Sequence, residues 1–300
     1  MRNGIDKKTS IVVLSDLDGT LLDSETYSAG AARKALDLLI GENIPLILCS
    51  SKTRAEIQVL QQELGFSHPF ICENGGALYI PDGYFGFDFH HGLRSARFSA
   101  GYQVVEYGRP YAEVVETLHR TAEGMGIEIV GFSDLSVEEV AKACRLSLLW
   151  ARLAKLREYD EPFWTVNGDA DTRARLWRAL QAAHLGCTSG GRFDHAGAPV
   201  NKGTAIGLVA ELYKRAGLRS LTVGLGDSLN DVPLLRQVDV PVVVQHGDLG
   251  VRAAMLEQAP TARVTRLPGP SGWSEAIFDI VDEVQGGRLM APTYAPRRVR

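Results

Sequence analysis

Three short, unbroken apolar runs, Ile11–Ser15, residues 44–49 and Phe70–Cys72, alternate with stretches of helical periodicity in the early part of the chain. A strand buried on both faces reads as such a run, because neither side of its sheet meets water. Between the first two, Ala32, Ala35, Leu36 and Leu39 recur at helical spacing and Gly41 stops the helix. Thr53 and Glu56 form a capping-box pattern that opens a second helix through Leu64, ended by Gly65. Strand, helix, strand, helix, strand with right-handed crossovers makes a doubly wound α/β sheet. The spacing also predicts a hairpin around Pro81, Asp82 and Gly83. The same texture resumes late, with a helix over 202–216, strands over 221–225 and 241–245, and a closing helix over 273–284.

The middle differs. Helical patterns over 111–122, 137–143, 146–156 and 172–183 are interleaved with strand-like segments over 127–130, 163–166 and 191–195. That is enough for a folded α+β domain inserted into the sheet. The expected organisation is a parallel-sheet core from 1–86 and 199–290, an inserted α+β cap over 87–198, and a basic tail over 291–300.

A net charge of −4 gives no electrostatic attraction for nucleic acid. The four cysteines (Cys49, Cys72, Cys144 and Cys187) are scattered without a C-x-x-C pair, as expected of reduced thiols in a cytoplasmic protein. No apolar stretch approaches membrane-spanning length, so no membrane partner is expected, and the pattern leaves monomer and homodimer both open.

Ligands of an open α/β sheet bind outside the carboxyl ends of its strands. The first run is followed by Asp16, Leu17, Asp18, Gly19 and Thr20, the second by Ser50, Ser51 and Lys52, and the third by Glu73, Asn74, Gly75 and Gly76. After 221–225 come Gly226, Asp227, Ser228, Leu229, Asn230 and Asp231. Carboxylates gathered on one rim repel and need a cation, and an all-oxygen donor set suits Mg²⁺. Mg²⁺ beside small hydroxyls and backbone N–H groups is a phosphate site. An aspartate is an adequate nucleophile toward phosphorus, and a second carboxylate two residues on can handle the leaving-group proton. Two nucleotide-binding readings fail on the residues. A dinucleotide fingerprint starting at Gly224 needs glycine where Leu229 stands, and a P-loop needs glycine where Asn201 precedes Lys202.

In this order, the segments resemble the motifs of the haloacid dehalogenase-like phosphohydrolases: Asp16 to Thr20 the first, Ser50 the second, Lys202 the third, and Gly226 to Asp231 the fourth. The resemblance implies a magnesium-dependent phosphatase in which Asp16 is the nucleophile, Asp18 the acid/base, and Ser50 and Lys202 phosphate ligands. It places Mg²⁺ on Asp16, the backbone carbonyl of Asp18 and Asp227, with Asp231 supporting the site. Ser51, grouped with the phosphate ligands, and Lys52 each read as a phosphate contact or as a solvated helix entry.

An insertion between the second and third motifs matches the members with a mobile α+β cap. Within these, residues 49–53, 73–76, 157–163, 190–193 and 269–273 narrow the resemblance to the mannosyl-3-phosphoglycerate phosphatases. Phosphatases of glucosyl-3-phosphoglycerate or sucrose phosphate, and a phosphosugar mutase, share the motifs. Two positions depart from the pattern: Asp194 stands where an aromatic is expected, and Asn201 where aspartate is usual. A phosphorylated sugar–glycerate carries a carboxylate that needs a cation beyond Lys202, and Arg192 and Arg157 are the candidates. Asn74, with Gly75, either touches the leaving group or caps a turn.

Overall fold

The computed structural model describes residues 11–289 apart from 88, 90–95, 191 and 219, so the basic tail over 291–300 lies outside the described residues. In chain order the elements are β1 (Ile11–Ser15), α1 (Arg33–Gly41), β2 (Leu46–Cys49), α2 (Arg54–Leu64), β3 (Phe70–Cys72), β4 (Ala77–Pro81), β5 (Ala96–Ser99) and β6 (Tyr102–Glu106). There follow α3 (Tyr111–Gly124), β7 (Ile129–Gly131), α4 (Val137–Cys144), α5 (Leu148–Ala154), β8 (Asp160–Thr165), α6 (Ala170–Ala182), β9 (Gly186–Gly190) and β10 (Phe193–Gly197). The chain closes with α7 (Ile206–Arg215), β11 (Leu221–Gly226), α8 (Val232–Leu235), β12 (Val240–Gln245), α9 (Leu249–Gln258), β13 (Arg263–Pro268) and α10 (Gly269–Gln285).

The core sheet runs β13-β12-β11-β1-β2-β3-β4-β6-β5, parallel from β13 to β3 and antiparallel beyond. Side chains alternate across it. Ile11 and Val13 join α1, α2 and α10 in one apolar layer, whereas Val12 and Leu14 join α7, α8 and α9 in the other. Burial on both faces explains the unbroken apolar reading of β1 and β11. From β1 the chain steps away in one direction through β2 and β3, and it returns on the other side of β1 through β11. This reversal opens a crevice above the ends of β1 and β11, the usual ligand position of such sheets.

The second sheet, β7-β8-β10-β9, is antiparallel throughout. One of its faces packs on α3 and α6 through Phe163, Ala196, Leu118, Leu176 and Leu180. Phe193 on the other face meets the small α4–α5 cluster of Phe132, Val140, Cys144 and Ala151. The capping box over Thr53 and Glu56 and the left-handed stop at Gly65 are as expected.

Several expectations need correction. Strand β6 pairs with β4 and β5 with β6, both in the core sheet, so the chain leaves that sheet after Glu106 and not at residue 87. Residues 81–84 make a turn, Tyr84 N–H to Pro81 O at 3.0 Å, but β4 takes β6 as its partner. The tight hairpin lies at Ala100-Gly101, both with positive φ as a two-residue turn requires. Of the strand expected over 191–195, residue 191 lies outside the described residues, Arg192 is in a turn and β10 begins at Phe193, with β9 as its unforeseen partner. Helix α9 and edge strand β13 were also unforeseen: α9 buries only Met255 and β13 only Thr265, so neither carries an apolar pattern.

Candidate active site

Asp16 continues the line of β1, its N–H donating to Leu225 O of β11 at 3.0 Å, so the nucleophile candidate sits on the crevice. Behind it the buried Trp273 Nε1 donates to Ser15 Oγ at 2.9 Å, and Ser15 Oγ donates to the Asp16 carbonyl at 2.6 Å. That chain gives the 269–273 segment a part in holding the β1 end in place.

Lys202, buried among acids, binds Asp16 Oδ1 and Asp231 Oδ1, each at 2.6 Å. The other oxygen of Asp231 accepts the N–H groups of Asp227 and Ser228 at 3.1 and 3.0 Å, which fixes the loop after β11. Thr20 Oγ1 donates to Asp227 Oδ1 at 3.1 Å. Gly19, at φ +82°, lets the Asp227 carboxylate approach: a Cβ there would stand 2.4 Å from Asp227 Oδ2. Asn201 Oδ1 accepts the Gly203 N–H at 3.0 Å and so shapes the turn that carries Lys202, a task an asparagine oxygen performs as well as the usual aspartate.

Carboxylate oxygens of Asp16, Asp227 and Asp231 lie within 4.8 Å of one another. Burial, and then the Asp231 charge, push Asp16 up to about 7. Burial, and then the Asp16 charge, push Asp227 up to about 8. Three carboxylates facing one ammonium leave two negative charges unbalanced, which is the charge of one divalent cation. The donor set, oxygen throughout, suits Mg²⁺. The residues present therefore fit the ion, with Asp231 committed to Lys202 and the loop amides rather than free to turn toward a metal.

A cavity of about 290 Å³ opens over these groups. Its floor includes Asp16, Asp18, Lys202 and Asp227, its wall Tyr27, Ser51 and Lys52, and its roof Arg192, Phe193 and His195 of the second sheet. Ser50 Oγ lies buried at the end of β2, accepting the Lys52 N–H at 3.2 Å. The roof is closed onto the floor. Tyr27 Oη donates to Cys144 O at 3.3 Å, Thr53 Oγ1 donates to Leu153 O at 2.9 Å, and Arg54 pairs with Glu158 at 2.6 Å. Arg192 donates to the same Cys144 carbonyl at 2.8 Å.

Alternation along β10 decides which residues look into the cavity. His195 and Phe193 face it, while Asp194 faces α6, where Arg173 grips it at 2.5 and 2.6 Å and Trp177 Nε1 donates to it at 3.3 Å. The aromatic expected at 194 would have faced helix α6 rather than substrate.

Asn74, Gly75 and Arg157 depart from their expected roles. Asn74 Nδ2 donates to Asp160 Oδ2 at 2.9 Å, and Gly75 lies so close to the Asn201 carbonyl that a Cβ would stand 2.1 Å from its oxygen. Neither lines the cavity. Arg157 borders it, but its guanidinium is committed to the Asp160 carbonyl at 2.6 Å, the Asp160 carboxylate and the Ser51 carbonyl at 2.9 Å. These residues tie the strand entering β8 to the core. Glu73 completes the tie, its carboxylate accepting the N–H groups of Glu158, Tyr159 and Asp160 at 3.0, 2.8 and 2.9 Å. Replacing Glu73 with Gln should cost about 1.5–3 kcal/mol in urea unfolding, the range for hydrogen bonds to a charged acceptor. Amide exchange at residues 158–160 should quicken with it. Unchanged exchange there would contradict the tie.

Comparison with known proteins agrees with this geometry. The sequence profile of the haloacid dehalogenase-like hydrolases matches residues 13–88. The glucosyl-3-phosphoglycerate/mannosyl-3-phosphoglycerate phosphatase of Methanococcoides burtonii is 41% identical over 275 residues, 90% of this chain and 97% of that protein. Its counterpart in Persephonella marina is 36% identical over 279 residues, 92% of this chain and 99% of that protein. A solved phosphatase of the same superfamily from Bacteroides thetaiotaomicron shares the fold with a TM-score of 0.63 at 17% identity, covering 91% of this chain and 96% of that one. Among the described residues no helix is long and apolar enough to cross a membrane. On this similarity over nine-tenths of its length, the chain belongs to the haloacid dehalogenase-like hydrolases and is a phosphoric monoester hydrolase.

Proposed function

We propose that the protein dephosphorylates mannosyl-3-phosphoglycerate, with the glucosyl compound as a second substrate, through an aspartyl-phosphate on Asp16. The observation that carries this is one cavity with Asp16 and Lys202 at its floor and Arg192 in its roof. A volume of about 290 Å³ is on the scale of small-ligand sites, ~300 Å³ and upward. The relatives at 41% and 36% identity bear the names of phosphatases for both glycosyl compounds.

Lys202 holds Asp16 Oδ1, leaving the other oxygen to attack phosphorus. As the Asp16 O–P bond forms and the ester P–O bond breaks, Asp18 gives its proton to the departing hydroxyl. Water then attacks the phosphorus of the aspartyl-phosphate, its proton passes to Asp18, the Asp16 O–P bond breaks, and inorganic phosphate leaves with the Asp16 carboxylate restored. Asp16, the Asp18 carbonyl and Asp227 would hold Mg²⁺, with Asp231 fixing the loop. When bound, the ion offsets the repulsion between the attacking carboxylate and the phosphate. Ser50 and Ser51 are the proposed hydroxyl ligands of the phosphate. Arg192, exposed in the roof and with one guanidinium nitrogen on Cys144 O, is placed for the glycerate carboxylate.

The test is phosphate release from mannosyl- and glucosyl-3-phosphoglycerate, sucrose phosphate and an aryl phosphate, with Mg²⁺ and with EDTA. Magnesium-dependent release strongest on the two phosphoglycerates is expected, and release only from unrelated phosphosugars would overturn the substrate. Arg192→Ala should raise KM for the phosphoglycerates ~10- to 100-fold, equivalent to one charge-assisted hydrogen bond, and KM for the aryl phosphate far less. Equal effects on both would remove Arg192 from the glycerate site.

A further inference from the structure

The two ring nitrogens of His195, a side chain only 9% exposed, have different surroundings. Nδ1 is 3.0 Å from Asp160 Oδ2. Asn74 Nδ2 donates to the same oxygen at 2.9 Å, and Arg157 pairs with Asp160 Oδ1. Burial raises the Asp160 carboxyl, but Arg157 and then His195 outweigh it and hold the group down to about 2. An ionised carboxylate only accepts, so Nδ1 carries the hydrogen of this bond. The ring is fixed by it, with Nε2 turned away from Asp160.

Nε2 has no hydrogen-bond partner among the described residues, and it is not one of their sealed polar atoms. Gly190 of β9 stands beside it, so close that a Cβ there would lie 2.9 Å from Nε2. Both residues line the cavity. The missing side chain thus leaves the nitrogen open on the side where Gly190 borders that cavity. Phe193, two residues back on the same face of β10, lines it as well. Its ring is held by Phe132 and Trp164, with centroids 5.2 and 5.8 Å away.

The phosphate and carboxylate of a glycosyl-3-phosphoglycerate are anions that call for Lys202 and Arg192. Phosphate occupies one hydroxyl of the glycerate and the sugar the other, so every free hydroxyl of the substrate belongs to the sugar. A sugar hydroxyl both donates and accepts, so it satisfies Nε2 in either protonation state, whereas a carboxylate fits only the protonated ring. An aromatic face suits the C–H side of a sugar and repels an anion. Resting on the substrate reading above, we infer that His195 Nε2 binds a hydroxyl of the sugar beside the Phe193 ring, so that this part of β10 selects glycosylated phosphoglycerate over the bare compound. Asp160 touches no substrate in this assignment and positions the ring.

Two amides separate this role from the tie to Asp160. Asparagine reaches only as far as Nδ1, so His195→Asn keeps a donor for Asp160 and lacks Nε2. Glutamine reaches the place of Nε2. We would measure kcat/KM on mannosyl-3-phosphoglycerate and on p-nitrophenyl phosphate, the inhibition constant of 3-phosphoglycerate against the aryl phosphate, and urea unfolding. In His195→Asn the ratio of kcat/KM on the glycosyl compound to that on the aryl phosphate should fall ~10-fold, the order of one lost hydrogen bond. Its 3-phosphoglycerate inhibition constant should rise less than ~3-fold, and its unfolding midpoint should stay near that of wild type. His195→Gln should recover part of the ratio while unfolding at lower urea.

An unchanged ratio in His195→Asn would overturn the inference and leave His195 only its bond to Asp160. An inhibition constant that rises ~10-fold would also overturn it and move the contact to the glycerate. The substrate reading fails separately, in the wild type, if neither mannosyl- nor glucosyl-3-phosphoglycerate releases phosphate while the aryl phosphate does.

Discussion

Asp16→Asn is expected to lose at least ~10³-fold in kcat on every phosphate ester, the order observed on removing a nucleophile. The loss should not come from unfolding. Burial and the Asp231 charge push Asp16 up to about 7, so its surroundings favour the neutral form over the charged one. A neutral Asn at that position relieves repulsion with Asp227 and Asp231, while its amide oxygen still accepts from Lys202. In EDTA the variant should therefore unfold at no lower a urea concentration than wild type. Activity within tenfold of wild type would remove Asp16 from the chemistry.

The second large effect is on Lys202, through stability as well as rate. Its ammonium lies between Asp16 and Asp231, all three side chains being almost fully buried. Lys202→Met leaves those carboxylates and Asp227 facing one another without a cation. Breaking a buried pair by removing one partner costs ~3–5 kcal/mol. Measured by urea unfolding in EDTA, the variant should lose about that much. Adding Mg²⁺ should restore part of it, because a cation binding the folded cluster stabilises it by mass action. Turnover should fall ~10²- to 10³-fold even with Mg²⁺, as for loss of one preorganised donor at the reacting group. Full stability in EDTA would mean that the cluster does not depend on Lys202 for its charge balance.

What could be read from the sequence was what is local. Asp16 to Thr20 and Gly226 to Asp231 each follow a strand directly, and the positions of β1 and β11 in a doubly wound sheet bring them together. Lys202 joins them because α7 follows it and packs on the same sheet. What was not legible depends on contacts distant in sequence. Asn74 and Arg157 both look like ligands beside the active site, but Asn74 meets Asp160, 86 residues later, and Arg157 reaches the Ser51 carbonyl, 106 residues back. Glu73 is similar: the loop that it holds returns from the second sheet at Glu158. Tyr27 carried no signal at all, its role depending on where Cys144 falls when the roof closes. His195 and Asp194 could be sorted into opposite faces only once β10 was located between β8 and β9. The core boundary was misplaced for a related reason, since β5 and β6 form a hairpin that could have extended either sheet.

Central to this account is a covalent bond between Asp16 and phosphorus. Acid quenching of the enzyme during turnover of mannosyl-3-phosphoglycerate with Mg²⁺, followed by proteolysis and mass spectrometry, reads that bond directly. The expected result is one added phosphoryl group on the peptide containing Asp16, lost under hydroxylamine and absent from Asp16→Asn. Steady turnover with no phosphorylated peptide at any quench time, or with the phosphoryl group on a different residue, would contradict it.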